Sequence, residues 1–176
     1  MSINKPDDPD KHWLIQAPPS HGLDAATAAP VVVLDTNVVL DLWAFKDPRT
    51  QLLRQALAQR RLRWIGTPAM FEELADVLHR PTSTRWCPEP AKVLADAHAA
   101  CHLLPGATPV TSKVPVCADP DDQIFIDLAW SWPARCLFTR DRALLDLARP
   151  ALAHGLIVTT PAAWPGLEAH EADLKP

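Results

Sequence analysis

The chain predicts an α/β protein, a parallel sheet covered by helices on both faces, and three observations point there. Short apolar runs alternate with helical segments, as in strand–helix–strand units. The first run, Val31-Val32-Val33-Leu34, is continuous and β-branched, the pattern of a strand buried on both faces. Helix starts are marked by proline at the first helical position, behind a capping residue in Thr67-Pro68 and Asp119-Pro120.

Residues 1–29 hold Pro6, Pro9, Pro18 and Pro19 with an Ala-rich stretch and no apolar period, and are expected to be a flexible extension. The folded unit is expected over 30–165, with a loose tail over 166–176. After the first strand, helices are expected from about Asn37 to Ala44 and from about Pro48 to Arg61. Leu62-Arg63-Trp64-Ile65 reads as a second strand, and Thr67 caps a helix running to about His79 before Pro81. Pro88 to Leu104 reads as a further helix, ended by Pro105-Gly106. Asp119-Pro120 opens a helix to about Trp130. Cys136-Leu137-Phe138 reads as a strand, Arg142 to Ala148 as a helix and Leu156-Ile157-Val158 as the last strand.

The 176 residues suit one domain with a substantial core, 48% of them hydrophobic and 22% charged. No apolar run approaches the ~20 residues of a membrane-spanning helix. The amino terminus has no apolar stretch of the secretory type, and the four scattered cysteines form no C-x-x-C pair, so reduced thiols in a cytoplasmic protein are expected. The net charge of −4 argues against a polyanionic partner, but it is unevenly spread. From Lys46 to Lys92 nine basic residues face five acids, the kind of segment a metal-dependent nuclease places beside an acidic pocket. A solvated helix face explains the same run equally well.

In open parallel sheets, function gathers past the carboxyl ends of the strands. Asp35 directly follows the first strand, and Asp141 follows Cys136–Phe138 by a few residues. Asp121 and Asp122 begin the helix before that strand. Each has a bland reading: Asp119 as an N-cap with Asp121 and Asp122 in the first turn, and Asp141 as the cap of the next helix. Asp35 resists it, because a carboxylate flush against a buried strand needs a partner or a metal. On the Thr67–His79 helix, Met70, Phe71, Leu74, Val77 and Leu78 form one stripe. At about 100° per residue, Glu72 and Asp76 fall roughly 160° from its centre, while Glu73 sits at the boundary, about 100° away. Glu73 is therefore the candidate on that helix. The same exercise places Asp127 outside and does not choose between Asp121 and Asp122.

Carboxylates gathered this way repel unless a cation neutralises them, and oxygen-only ligands select Mg²⁺ or Mn²⁺. Such ions can activate a water and stabilise the leaving oxygen of a phosphodiester with no protein nucleophile. His98 and His102 lack the glutamate of H-E-x-x-H, and there is neither a P-loop nor G-x-G-x-x-G. Asp35-Thr36-Asn37 has no second aspartate two residues on, unlike haloacid-dehalogenase-type phosphatases. Trp64 and Trp130 read as core, whereas Trp43 or Trp86 are candidates for stacking on bases.

The order of motifs is more specific than any one of them. Val33-Leu34-Asp35-Thr36-Asn37-Val38-Val39-Leu40 resembles the opening of PIN domains. Glu73-Leu74-Ala75-Asp76-Val77-Leu78-His79-Arg80-Pro81 is similar to that family's E-L-x-x-V-L-x-R-P helix. Asp119-Pro120-Asp121-Asp122, with Ala129 seven residues after Asp122, resembles the third block, and Leu137-Phe138-Thr139-Arg140-Asp141-Arg142-Ala143-Leu144-Leu145 the fourth. Together they resemble the PIN-family toxins of bacterial toxin–antitoxin systems, over roughly Pro30 to Pro165.

The resemblance implies a compact α/β/α fold and Mg²⁺- or Mn²⁺-dependent cleavage of single-stranded RNA. It assigns the metal-binding, catalytic acids to Asp35, Glu73, Asp122 and Asp141. Asn37 and Thr139 match supporting polar positions, and Asp121 stands as a substitute or outer acid. It also implies an antitoxin partner and a homodimer. Two other readings stand beside it, a PIN-like module that binds RNA or protein without cutting and a phosphatase acting on small molecules.

Overall fold

The computed structural model describes residues 29–87, 89–105 and 114–167. Residues 1–28 and 168–176, where most of the expected extension and tail fall, lie outside the described residues. Of the expected tail, Gly166 and Leu167 are described, and Leu167 packs against the core.

Five parallel strands form one sheet in the order β3-β2-β1-β4-β5. They are β1 (Val31–Leu34), β2 (Arg63–Gly66), β3 (His102–Leu103), β4 (Cys136–Phe138) and β5 (Ile157–Thr159). The chain builds outward from β1 to β3 on one side, then returns to the other flank of β1 for β4 and β5. Val33 is in register with Ile65 on one side and Leu137 on the other. The point where winding reverses lies between β1 and β4, and the crevice beyond it is where such sheets carry their sites.

Side chains alternate across the strands, so one run of apolar residues supplies two cores. Val32, Leu34, Trp64, Cys136 and Phe138 face α1 (Thr36–Trp43), α2 (Gln51–Ala58), α3 (Pro68–His79) and α4 (Pro90–Ala100). Val33, Ile65, Leu137 and Val158 face α5 (Gln123–Ser131), α6 (Arg142–Leu145) and α7 (Ala148–Leu152). The result is the three-layer α/β/α arrangement expected from the sequence.

Most elements fall where the sequence puts them, and α3 starts and ends as expected because Thr67 accepts the Met70 N–H and Pro68 occupies the first turn. Three differ. The helix expected from Pro88 to Leu104 ends at Ala100, and His102-Leu103 adds a two-residue edge strand beside Ile65-Gly66. Two residues carry no alternation, so pairing with β2 alone defines that strand. The expected Pro48–Arg61 helix begins as a 3-10 turn, Pro48–Thr50, and ends at Ala58. The Arg142–Ala148 segment divides into α6 and α7 around Asp146-Leu147.

Trp64 is buried, as expected, but Trp130 is only half-buried. Trp43 stacks on Trp64 at 5.2 Å and Trp86 lies against Phe45 at 4.9 Å, so both candidate stacking residues already have ring partners. His98, on α4, stacks on Phe71, whereas His102 has left the helix for β3. The four cysteines are free thiols. Among the described residues, no helix is long and apolar enough to cross a membrane.

Candidate active site

Asp35 leaves β1 at its carboxyl end and caps α1, and it is only 2% exposed. A carboxylate that deep needs hydrogen bonds. The Thr139 hydroxyl, fully buried at the end of β4, donates to its Oδ2 at 2.7 Å. The Asn37 backbone N–H and side-chain amide lie at 3.4 and 3.5 Å, at the weak end of hydrogen bonding. Burial still prevails: it pushes the Asp35 carboxyl above the usual range against these bonds, and Asp141 adds to the rise.

Thr139 also organises the second acid. Its Oγ1 accepts the Asp141 N–H at 2.9 Å, so one threonine holds Asp35 and the Asp141 backbone together across the switch point. The capping role of Asp141 is real: its Oδ1 accepts from Ala143 N at 2.7 Å and Leu144 N at 3.4 Å. These bonds are to Oδ1, and capping therefore occupies one oxygen of the carboxylate rather than replacing a role in the site.

Glu73 comes from α3 and is half-buried, whereas Glu72 and Asp76 on the same helix are exposed, as the periodicity requires. The buried Thr36 hydroxyl donates to it, tying α3 to the first turn of α1. Burial is the main force raising its carboxyl, with Asp35 and Asp121 adding to it.

The third block differs from its sequence-based capping reading. Asp119 does not cap α5; it accepts the Asp121 N–H at 3.0 Å in a turn, and the helix begins at Gln123. Asp122 stands at the N-cap position, yet its side chain makes no capping hydrogen bond. Gln123 pins the incoming loop: its side chain accepts from Cys117 N at 2.7 Å and donates to Pro115 O at 3.2 Å and Asp127 at 2.8 Å. The half-buried Asp122 carboxyl is pushed up to about 7, first by burial and then by Asp35, Asp141, Asp119 and Glu73. Asp121 is exposed.

Four elements from the two sides of the sheet therefore bring Asp35, Glu73, Asp122 and Asp141 within electrostatic reach of one another. The all-oxygen donor set and its mutual repulsion fit a hard divalent cation, whose charge would relieve what the bare carboxylates raise. Among the described residues, no three acidic, histidine or cysteine side chains close in far enough to form a ready-made cage.

A pair absent from the sequence reading borders this cluster. Asp41, 4% exposed on α1, receives Arg140 in a forked contact, Nε to Oδ2 at 2.7 Å and Nη2 to Oδ1 at 3.0 Å. Arg140 sits between Thr139 and Asp141, so the pair clamps the β4–α6 loop onto α1. The sequence signal was present in part: Asp41 is a lone charge in an otherwise apolar helical run, Val38-Val39-Leu40-Asp41-Leu42-Trp43. The expected basic segment divides. Arg80 lies near enough to lower the Glu73 carboxyl, whereas Arg54, Arg60 and Arg63 line a groove that does not include the acids.

The family model described as the PIN domain matches residues 31–143, a span that contains all four acids. No curated protein matches the chain.

Proposed function

The chain belongs to the PIN domain family, a nuclease-type fold, and from that premise we propose that it is a metal-dependent endoribonuclease cleaving single-stranded RNA. The observation that carries the proposal is the gathering of Asp35, Glu73, Asp122 and Asp141 past the carboxyl ends of the strands, where the Asp35 and Glu73 carboxyls are raised and Asp122 is pushed up to about 7. Clusters of acids whose environments lift their pKa values gather at functional sites.

In this reading the four carboxylates hold Mg²⁺ or Mn²⁺, with Asn37 and Thr139 supporting and Asp121 an outer acid. The bound ions supply an activated water and neutralise charge at the leaving oxygen of the phosphodiester. The protein's own contribution is positional. Thr139 fixes the Asp35 oxygen it bonds, Thr36 orients Glu73, and Gln123 holds the loop that delivers Asp122. Asp41 and Arg140 keep the Thr139–Asp141 loop on α1. The four-motif resemblance extends the proposal to a role as the toxin of a toxin–antitoxin pair, with an antitoxin protein as partner, a homodimer as assembly and the cytoplasm as location.

The second reading, a PIN-like module that binds without cutting, is favoured by one observation: the described acids do not close into a three-ligand cage. One experiment separates the two. Labelled single-stranded RNA is incubated with the chain, Asp35→Ala and Asp122→Ala in Mg²⁺, Mn²⁺ or EDTA. Cleavage by the parent that is lost in EDTA and in both variants supports the nuclease. RNA held equally by all three proteins and cut by none supports the binding module.

A further inference from the structure

A groove of about 700 Å³ opens at the amino ends of β1 and β2, the opposite end of the sheet from Asp35. Arg54 of α2, Arg60 just past it and Arg63 at the start of β2 line it, with Trp43, Trp64 and His102. None of the three arginines has an acidic partner among the described residues. The one acid on the lining, Asp96, is already held by Lys92 at 2.8 Å. In a chain of net charge −4 this is a concentrated positive surface beside aromatic rings.

Arg60 carries the sharpest observation. The end of α2 is a Schellman turn, with Arg60 N bonded to Leu57 O and Arg61 N to Ala56 O. Arg60 occupies its left-handed position at φ 56°, where glycine is the default residue and a side chain is strained. Local conformation argues against an arginine there; its charge beside the groove gives the position another use. Arginines near helix carboxyl ends also complement the helix dipole, which is a role in stability alone.

We propose that this groove is a second nucleic-acid contact, holding the phosphate backbone of single-stranded RNA at the end of the sheet away from the acids. The inference rests on the reading of RNA as substrate. Unpaired arginines supply the phosphate contacts, while the exposed His102 and the partly exposed Trp43, one face of which is taken by the buried Trp64, lie beside them. Val31 is in register with Arg63, and Asp35 lies four residues further on, so the two ends are ~13 Å apart along the strand. That line runs through the buried strand, so an RNA that engages both ends follows a longer path around the outside of the helices.

The test is fluorescence anisotropy of long single-stranded RNA in EDTA, where the uncovered acids repel phosphate and the groove carries the affinity. The 176-residue chain is compared with the triple variant Arg54→Gln/Arg60→Gln/Arg63→Gln and with Arg60→Gly. Three lost phosphate contacts are expected to make the log–log salt slope shallower by about 2 and to weaken binding about tenfold or more. Arg60→Gly is expected to weaken RNA binding while the melting temperature holds or rises. A triple variant with the parent's slope and affinity overturns the proposal and leaves the groove to an acidic polypeptide. A lower melting temperature in Arg60→Gly with unchanged RNA binding assigns that arginine a structural role and overturns its part. Cleavage in Mg²⁺ is read separately: a parent that cuts RNA without groove dependence defeats this inference alone. Groove-dependent binding without cutting defeats the nuclease reading alone.

Discussion

The two ends of the sheet are built from the same strands and carry opposite chemistry. At the carboxyl ends, Asp35, Glu73 and Asp122 lie within electrostatic reach of one another, and burial disfavours the charges they carry. At the amino ends, three arginines stand without acidic partners among the described residues and are at least partly open to solvent. Acids that a fold buries against one another make the site unfavourable until a cation arrives. Arginines left unpaired on the surface are, in contrast, ready for a polyanion. A net charge of −4 averages these two ends and conceals both.

The largest expected effect is at Asp35. Asp35→Asn keeps the shape but removes the buried charge, and should reduce RNA cleavage by at least ~100-fold, beyond what outer partners cost. Its melting temperature in EDTA should hold or rise, because burial raises the Asp35 carboxyl and the neutral amide escapes that penalty. A loss of both activity and stability would mean that Asp35 is a structural cap and would break the contrast between the ends.

Thr139→Val comes next. It deletes the 2.7 Å bond to Asp35 and the acceptor for Asp141 N, and should cost ~10–100-fold in metal affinity. Metal titration of the variant checks this.

The acidic end should also respond to pH. Between its unfolded value of 3.8 and about 7, Asp122 binds more protons in the folded chain than in the unfolded one. Its contribution to metal-free stability is therefore full below the lower value and falls as pH rises through about 7. Thermal melts in EDTA should show the parent losing stability relative to Asp122→Asn across that window. Arg140→Ala gives the smallest effect. It leaves Asp41 buried without its partner, but Arg140 is 42% exposed, so the cost should be about 1–2 kcal/mol by denaturant unfolding, below that of a fully buried pair.

What the sequence made legible follows from the range of the forces involved. Local signals carried α3, from its Thr67 cap to its apolar stripe, and the same stripe separated Glu73 from Glu72 and Asp76. The β-branched run of β1 announced a strand buried on both faces, and hence the depth of Asp35. Contacts across the chain were silent: Asp41 meets Arg140 from 99 positions away, and β3 exists only through its neighbour. The basic segment was visible as composition, but which end of the sheet its arginines reach depended on the turn after α2. The choice between Asp121 and Asp122, open in the helical periodicity, is informed by solvent and charge: Asp121 is exposed, while Asp122 is half-buried among the other acids.

Calorimetric titration with Mn²⁺ tests most directly the proposal that the acidic end takes a divalent cation. Run at about pH 6 and about pH 8 in buffers of different ionisation enthalpy, it reports both affinity and protons released. The expected result is binding that weakens and releases protons at the lower pH, as Asp122 must give up its proton, and that is lost in Asp35→Asn. No binding at the higher pH, or binding indifferent to both pH and Asp35→Asn, would contradict it.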